Sequence, residues 1–196
     1  MIIASIDPSL TGTGITVLDN GRPVLLRKIK SSPDGKSDTD RAARVVALRH
    51  LIVQTIRPYK PDIIIIEGPA YNSTLGSACD RNALWHYLVH EFGVAGKIRG
   101  EHYAGVPPKT LKRFVTGNGN ADKKLIVPEV QSWFPEFRCE LRDDNVADST
   151  GLAVLGAVRF GDPIPLLVQQ FMESTTEGVD LRRRTAVEVV QWPVMV

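Results

Sequence analysis

The hydrophobic pattern changes period several times along the chain, and each change marks an element. Ile2 to Ile6 is an apolar run closed by Asp7. A turn-rich stretch, Pro8-Ser9-Leu10-Thr11-Gly12-Thr13-Gly14, separates it from a second run, Ile15-Thr16-Val17-Leu18. Asn20-Gly21 is the pair a two-residue hairpin favours, since both of its positions need positive φ. Val24 to Ile29 reads as a third strand, so the amino-terminal segment predicts an antiparallel meander. From Thr39 to Ile56, apolar side chains at Ala42, Val45, Val46, Leu48, Leu51, Ile52 and Ile56 recur at helical spacing, and Pro58 and Pro61 stop the helix. Asp62-Ile63-Ile64-Ile65-Ile66-Glu67 shows no alternation, the pattern of a strand covered by helices on both faces.

The second half predicts a long helix over Ser77 to Phe92 and a strand around Lys97 to Tyr103. Pro107-Pro108 opens a short helix through Phe114, because proline suits a first turn. A loop at Thr116 to Asn120 leads to a helix over Asp122 to Trp133, interrupted by Pro128, and to a final small-residue helix from Asn145 to Phe160. The expected architecture is a mixed α/β sandwich. Composition shifts at Gly161, which divides the chain into a first domain at 1–160 and an extension at 161–196 whose apolar end, Val187 to Val196, is expected to dock as an added strand or close a dimer.

Composition narrows the class. Across 196 residues, 43% are apolar and 23% charged, with 24 basic against 22 acidic side chains and a net charge of +2. That balance excludes a histone-like polycation and an acidic disordered chain. Apolar runs are too short for a transmembrane helix, and MIIASID has no basic or long apolar leader, so a cytoplasmic protein is expected. Cys79 and Cys139 match no metal or redox spacing and read as free thiols. The small total conceals segregation: residues 97–124 hold seven Lys/Arg against Glu101 and Asp122, a local +5. Arg22, Arg27, Lys28 and Lys30 form a second cationic stretch and Arg182-Arg183-Arg184 a third. Segregated positive charge suits a nucleic-acid face, with Lys109, Lys112, Arg113, Lys123 and Lys124 as candidate phosphate contacts.

The acids carry the chemistry. A carboxylate closing an apolar strand is costly unless it faces a partner or a mouth in the fold. Asp7 and Glu67 both do this, and on neighbouring strands they would repel unless a cation lay between them. Turn or cap duty explains either one alone equally well. In Arg142-Asp143-Asp144-Asn145-Val146-Ala147-Asp148, helix capping accounts for Asp143 and Asp144. It does not account for Asp148, which already belongs to the apolar helix face. Three acids at element ends suit a two-metal site for phosphodiester hydrolysis, one ion activating water and the other stabilising the leaving oxyanion. Oxygen donors without a His or Cys cluster favour Mg²⁺ over zinc.

These residues together resemble the RuvC-type Holliday-junction resolvases of the RNase H-like superfamily, and phage-encoded members above all. The matching pieces are Ile6 to Gly14, Ile65 to Tyr71, Pro108 to Lys112 with Gly117 to Lys123, and Asp144 to Ser149. The resemblance covers roughly residues 1–160. It implies a five-stranded mixed sheet flanked by helices, and Mg²⁺-dependent nicking of branched DNA, four-way junctions in particular, with Mn²⁺ able to substitute. It also implies a homodimer making paired nicks, without a nucleotide cofactor or membrane. Carried over by position, Asp7, Glu67 and Asp148 match three metal-binding acids. The fourth position falls on Asn145, where the family has an acid or histidine; Asp144, one residue earlier, is the favoured substitute, with the Asn145 amide oxygen as alternative. Lys112 and Lys123 match lysines that contact the scissile strand. Tyr71 matches, at a spacing one residue longer, an aromatic that stacks into the junction, a contact worth ~1–3 kcal/mol per base. Trp85 is expected in the core or an interface, not on DNA. Other RNase H-like nucleases acting on RNA or RNA–DNA hybrids would use the same acids. A non-catalytic junction binder would favour lysines where Asp7, Glu67 and Asp148 stand. A sugar-kinase-like ATPase would need a longer chain.

Overall fold

The computed structural model describes residues 1–33, 35–69 and 78–195. Strands β1 (Ile2–Asp7), β2 (Gly12–Asp19) and β3 (Arg22–Lys30) form the expected meander. Asn20 and Gly21 turn it with φ of 47° and 75°. The strand β2 starts at Gly12, three residues earlier than its apolar run suggested. The turn is confined to Pro8–Thr11, where the Thr13 hydroxyl donates to the Ser9 carbonyl at 2.8 Å and pulls the chain straight into the ladder. Two parallel strands, β4 (Ile63–Glu67) and β5 (His102–Val106), complete a five-stranded sheet of order β3-β2-β1-β4-β5. This is the mixed sheet the sequence predicts.

Both faces are covered, which explains the unbroken isoleucine run. Ile64 and Ile66 pack beneath α1 (Asp38–Ile56) and α2 (Ala78–Val89), while Ile63 and Ile65 join the opposite layer. The helix α1 opens on a capping box between Ser37 and Asp40. After α2 the chain widens into a π turn at His90–Val94 and a single helical turn, α3 (Ala95–Ile98). Glu91, only 4% exposed, sits on that turn and is paired by Arg49, Arg57 and Arg99. The strand expected around Lys97 to Tyr103 therefore begins only at His102. Glu101 N–H closes the helical turn on the Gly96 carbonyl, and Gly100, at φ 80°, reverses the chain first.

The second layer contains α4 (Pro108–Thr116), α5 (Ile126–Trp133) and α6 (Asp144–Phe160). Residues 123–125 form a separate 3-10 turn, so Pro128 falls in the first turn of α5, where its missing N–H breaks no bond. The helix α6 is not the last. Two further helices, α7 (Leu166–Glu173) and α8 (Val179–Glu188), add Val168, Phe171, Ala186 and Val187 to the same apolar cluster. No strand forms at 187–195. Trp192 Nε1 instead donates to the Val187 carbonyl at 2.8 Å. The arginine triplet turns toward the protein. Arg182 Nε donates to the Gly117 carbonyl at 2.7 Å, Arg183 pairs with Glu129, and Arg184 reaches carbonyls of Phe171 and Ser174. Helix α8 uses these groups as packing and hydrogen-bonding anchors, with Arg182 still exposed.

The contact between α6 and the meander is close. A Cβ on Gly14 would lie 1.9 Å from the Asn145 carbonyl oxygen, a backbone atom that cannot swing aside. Gly14→Ala is therefore expected to lower stability by roughly 1–3 kcal/mol or more, an overpacking cost. Urea unfolding would measure it, and an unchanged midpoint would show that α6 is not seated as described.

Candidate active site

Parallel register sets Ile6 opposite Ile66. The next residues, Asp7 and Glu67, consequently leave the sheet side by side, and strand alternation turns both toward the α6 layer, like Ile3 and Ile63. Helix α6 is seated there by hydroxyls. Ser5 Oγ donates to the Ser149 carbonyl at 2.6 Å, and Thr16 Oγ1 lies 2.9 Å from both Ser149 Oγ and Thr150 Oγ1. Gly14, the cross-strand partner of Asp7, leaves room for the helix backbone. Asp148, one turn into α6, is thereby brought over the Asp7–Glu67 pair, and the three acids predicted from separate segments converge.

Their charges conflict. Burial first, and then the Asp148 charge, push Asp7 up to about 7. Glu67 rises well above its ordinary value through burial and the neighbouring Asp7, with which it shares a hydrogen bond. Burial also raises Asp148, against the pull of Lys123. Lys123 Nζ lies 3.0 Å from Asp144 Oδ2 and 3.1 Å from Asp148 Oδ2. Although burial disfavours its charge, Asp148 and Asp144 hold the ammonium charged well above the usual lysine range. Asp148 Oδ1 is buried and has no hydrogen-bond partner among the described residues.

A cavity of about 220 Å³ opens above these groups, lined among others by Asp7, Glu67, Lys123, Asn145, Arg81 and Trp85. Asn145 Nδ2 donates to Asp143 and Asp144 at 3.2 and 3.1 Å. Asp144 is half exposed and engaged by Lys123. Lys28, which the sequence places only in a cationic stretch, pairs with Asp143 at 2.6 Å and so steadies the cap of α6. Its position is recoverable from register alone, since Lys28 pairs with Gly14 and Gly14 with Asp7.

The other predicted residues flank the cavity. Lys109, Lys112 and Arg113 lie on α4. Lys109 is exposed, and Lys112 Nζ donates to the Ala121 carbonyl at 3.1 Å. Lys124 is exposed, one residue beyond Lys123. Tyr71 lies outside the described residues. Trp85, expected in the core or an interface, is half-buried and open to the cavity. Its single-residue signal, an aromatic on an otherwise mixed helix, did not distinguish the two settings.

Among the described residues, no group of three or more His, Cys, Asp or Glu side chains is, as the side chains stand, placed to hold a metal ion. The donor set nevertheless fits a hard divalent cation. It offers only oxygen, it holds carboxylates whose repulsion is uncompensated, and an ammonium already occupies the position of a counter-charge.

No protein-family model matches the chain. It is similar to the crossover junction endodeoxyribonuclease RuvC of Corynebacterium glutamicum, 28% identical over 190 residues that cover 93% of this chain and 79% of that protein. The protein of the same name from Zymomonas mobilis is 27% identical over 164 residues, 80% of this chain and 90% of that one. Among solved structures, Thermus thermophilus RuvC in complex with a Holliday junction substrate superposes with a TM-score of 0.62 at 19% identity, covering 85% of this chain and 99% of that one. That likeness establishes a shared RNase H-like fold.

The raised Asp7 value makes the site a cost to folding without metal. Unfolded, Asp7 ionises near 3.8; folded, it keeps its proton to about 7. The folded chain then binds the extra proton, so stability falls as pH rises between those values and stays reduced above them. In the absence of divalent ions, Asp7→Asn is expected to stabilise the chain by on the order of 1–3 kcal/mol at pH 8 and by little near pH 4. Urea unfolding at the two pH values measures this, and a gain independent of pH would contradict it.

Proposed function

We propose that the chain is a structure-selective endonuclease that resolves Holliday junctions and related branched DNA by hydrolysing phosphodiester bonds. The observation that carries the reading is the convergence of three acids: Asp7 and Glu67 line one cavity with Lys123, and Asp148 lies beneath it against Lys123 and close enough to raise Asp7. The names of the curated relatives, all crossover junction endodeoxyribonucleases, support the substrate class.

Asp7, Glu67 and Asp148 would hold divalent cations, Mg²⁺ with Mn²⁺ as substitute, and the fourth position falls to Asp144 or Asn145. When bound, such ions supply Lewis-acid stabilisation of the phosphate charge and lower the pKa of water. The chain's own residues do the rest. The buried carboxylates, held toward their protonated forms while no cation is present, would ionise as a cation replaced the proton. Lys123 balances Asp144 and Asp148 until a phosphate competes for its ammonium. Lys109, Lys112, Arg113 and Lys124 bind backbone phosphates of the same strand, which makes affinity salt-sensitive. Tyr71 follows Glu67 closely enough to stack on an unpaired base at the branch point. In a homodimer, two such sites related by a two-fold axis face opposing strands and produce paired nicks. The assignment to a phage genome rests on motif resemblance alone, and the expected place of action is the cytoplasm.

The test is a cleavage panel with Mg²⁺ over four-way, three-way, flap and duplex DNA and an RNA–DNA hybrid. Four-way junctions are expected to receive paired, symmetric nicks, and Asp7→Asn to abolish nicking while retaining binding. Intact junctions alongside a cut hybrid would sink the resolvase reading and favour an RNA-directed nuclease. Asn145 lines the cavity whereas Asp144 is held outside it by Lys123. Asn145→Ala is accordingly expected to lose more cleavage than Asp144→Ala, and equal small losses would mean that neither is a ligand.

A further inference from the structure

Next to the carboxylates lies a larger hollow, about 640 Å³, to which the cleavage reading assigns no role. It runs between the ends of β4 and β5, the α2 helix and the first turns of α4. Trp85, Val106, Pro107 and Pro108 line it together with Lys109 and Lys112. Trp85 and Pro108 also line the carboxylate cavity, so the two spaces share a wall.

We propose that this hollow is a nucleobase subsite, in which one base of the strand being cut swings out of the stack and rests on the Trp85 indole. The inference builds on the endonuclease reading above. The wall chemistry is that of a flat apolar ligand. Two prolines and a valine form a stiff surface, and the indole offers a platform to any base, since every base has a π-face. The ring is fixed edge-on against His86, with centroids 5.0 Å apart and planes at 74°. Its Nε1 is buried and has no acceptor among the described residues, so what the ring can present to the hollow is carbon surface and not its N–H.

Charge selects a nucleotide over other apolar ligands. Lys109 and Lys112 stand one helical turn apart at the rim. Lys112 spends one donor on the Ala121 carbonyl and retains two, and Lys109 is exposed. An apolar pocket with two ammonium groups at its lip fits a base flanked by phosphates. Its shared wall with the carboxylates fixes which base: a strand whose phosphate reaches Asp7 and Glu67 carries its neighbouring nucleotide over the hollow. At a branch point, bases have already lost a stacking neighbour, which lowers the cost of swinging one out. The subsite makes Trp85 a determinant of cleavage efficiency whatever the sequence at the nick, because stacking tolerates every base.

The test places 5-iodouracil singly at each position within three nucleotides of the nick in a four-way junction. Complexes formed with the uncleaving Asp7→Asn chain are irradiated, and cross-linked peptides are identified by mass spectrometry. One position is expected to cross-link to Trp85; cross-links that map only elsewhere, or none, overturn the subsite. In parallel, an abasic residue at that position and Trp85→Ala are each expected to lower kcat/KM roughly tenfold, as for one lost stacking contact. Together they should lower it no further than either alone, with Trp85→Phe close to the unsubstituted chain. Additive losses would assign Trp85 to packing. If the unsubstituted chain neither binds nor nicks junctions, the functional reading itself falls; if it nicks them without any coupling to Trp85, only the subsite does.

Discussion

Mutual repulsion among Asp7, Glu67 and Asp148 is the constraint around which this protein is arranged. A fold selected only for stability would not gather two carboxylates at the ends of neighbouring central strands under a third from the covering helix, because each raises the cost of ionising the others. The chain tolerates them through Lys123, which bridges Asp144 and Asp148, and through the hydrogen bond between Asp7 and Glu67. Neither device removes the problem. Asp148 Oδ1 remains buried without a partner among the described residues, and Asp7 stays protonated to about pH 7. Added positive charge, a proton included, relieves such strain, and this is the physical ground on which the proposed cation-loaded site rests.

The remainder of the fold serves to keep those groups from drifting apart. Helix α6 is pinned to β1 and β2 by short hydroxyl contacts of Ser5, Thr16, Ser149 and Thr150. Hydroxyls are costly to bury and are used here in a closed set, which fixes one register of the helix on the sheet. Gly14 permits the backbone approach, and the Lys28–Asp143 pair steadies the cap. A slip of α6 by one residue would carry Asp148 around the helix and away from Asp7.

Much of this was legible in advance for a physical reason. The isoleucine run of β4 lacks alternation because both faces are covered, and its closing Glu67 stands out against four apolar neighbours. The hairpin at Asn20-Gly21 and the long α1 helix follow from local rules alone. What the pattern missed depends on distant contacts. The start of β2 was hidden because Gly12 and Gly14 read as turn residues, yet their smallness serves the close passage of Lys28 and the α6 backbone. The onset of β5 depends on Glu91 and its arginines, which meet only in the folded chain. Trp85, expected in the core or an interface, packs against the core while also lining the cavity, and an aromatic on a helix carries no mark of that second face.

The arginine triplet teaches a similar lesson about charge, and it links the carboxyl-terminal helices to the site. Read along the chain, Arg182, Arg183 and Arg184 extend a basic surface. Folded, Arg182 donates to the Gly117 carbonyl, and Val179 lies so near Gly117 that a Cβ there would come within 2.4 Å of its side chain. Gly117 ends α4, which carries Lys109 and Lys112, and begins the loop that delivers Lys123. Helix α8 therefore grips the turn between two groups of cations, Lys109 and Lys112 on one side and Lys123 on the other. Charge that reads as free surface along the chain is spent, at Arg182, Arg183 and Arg184, on carbonyls and a carboxylate that hold the carboxyl-terminal helices to the rest of the fold.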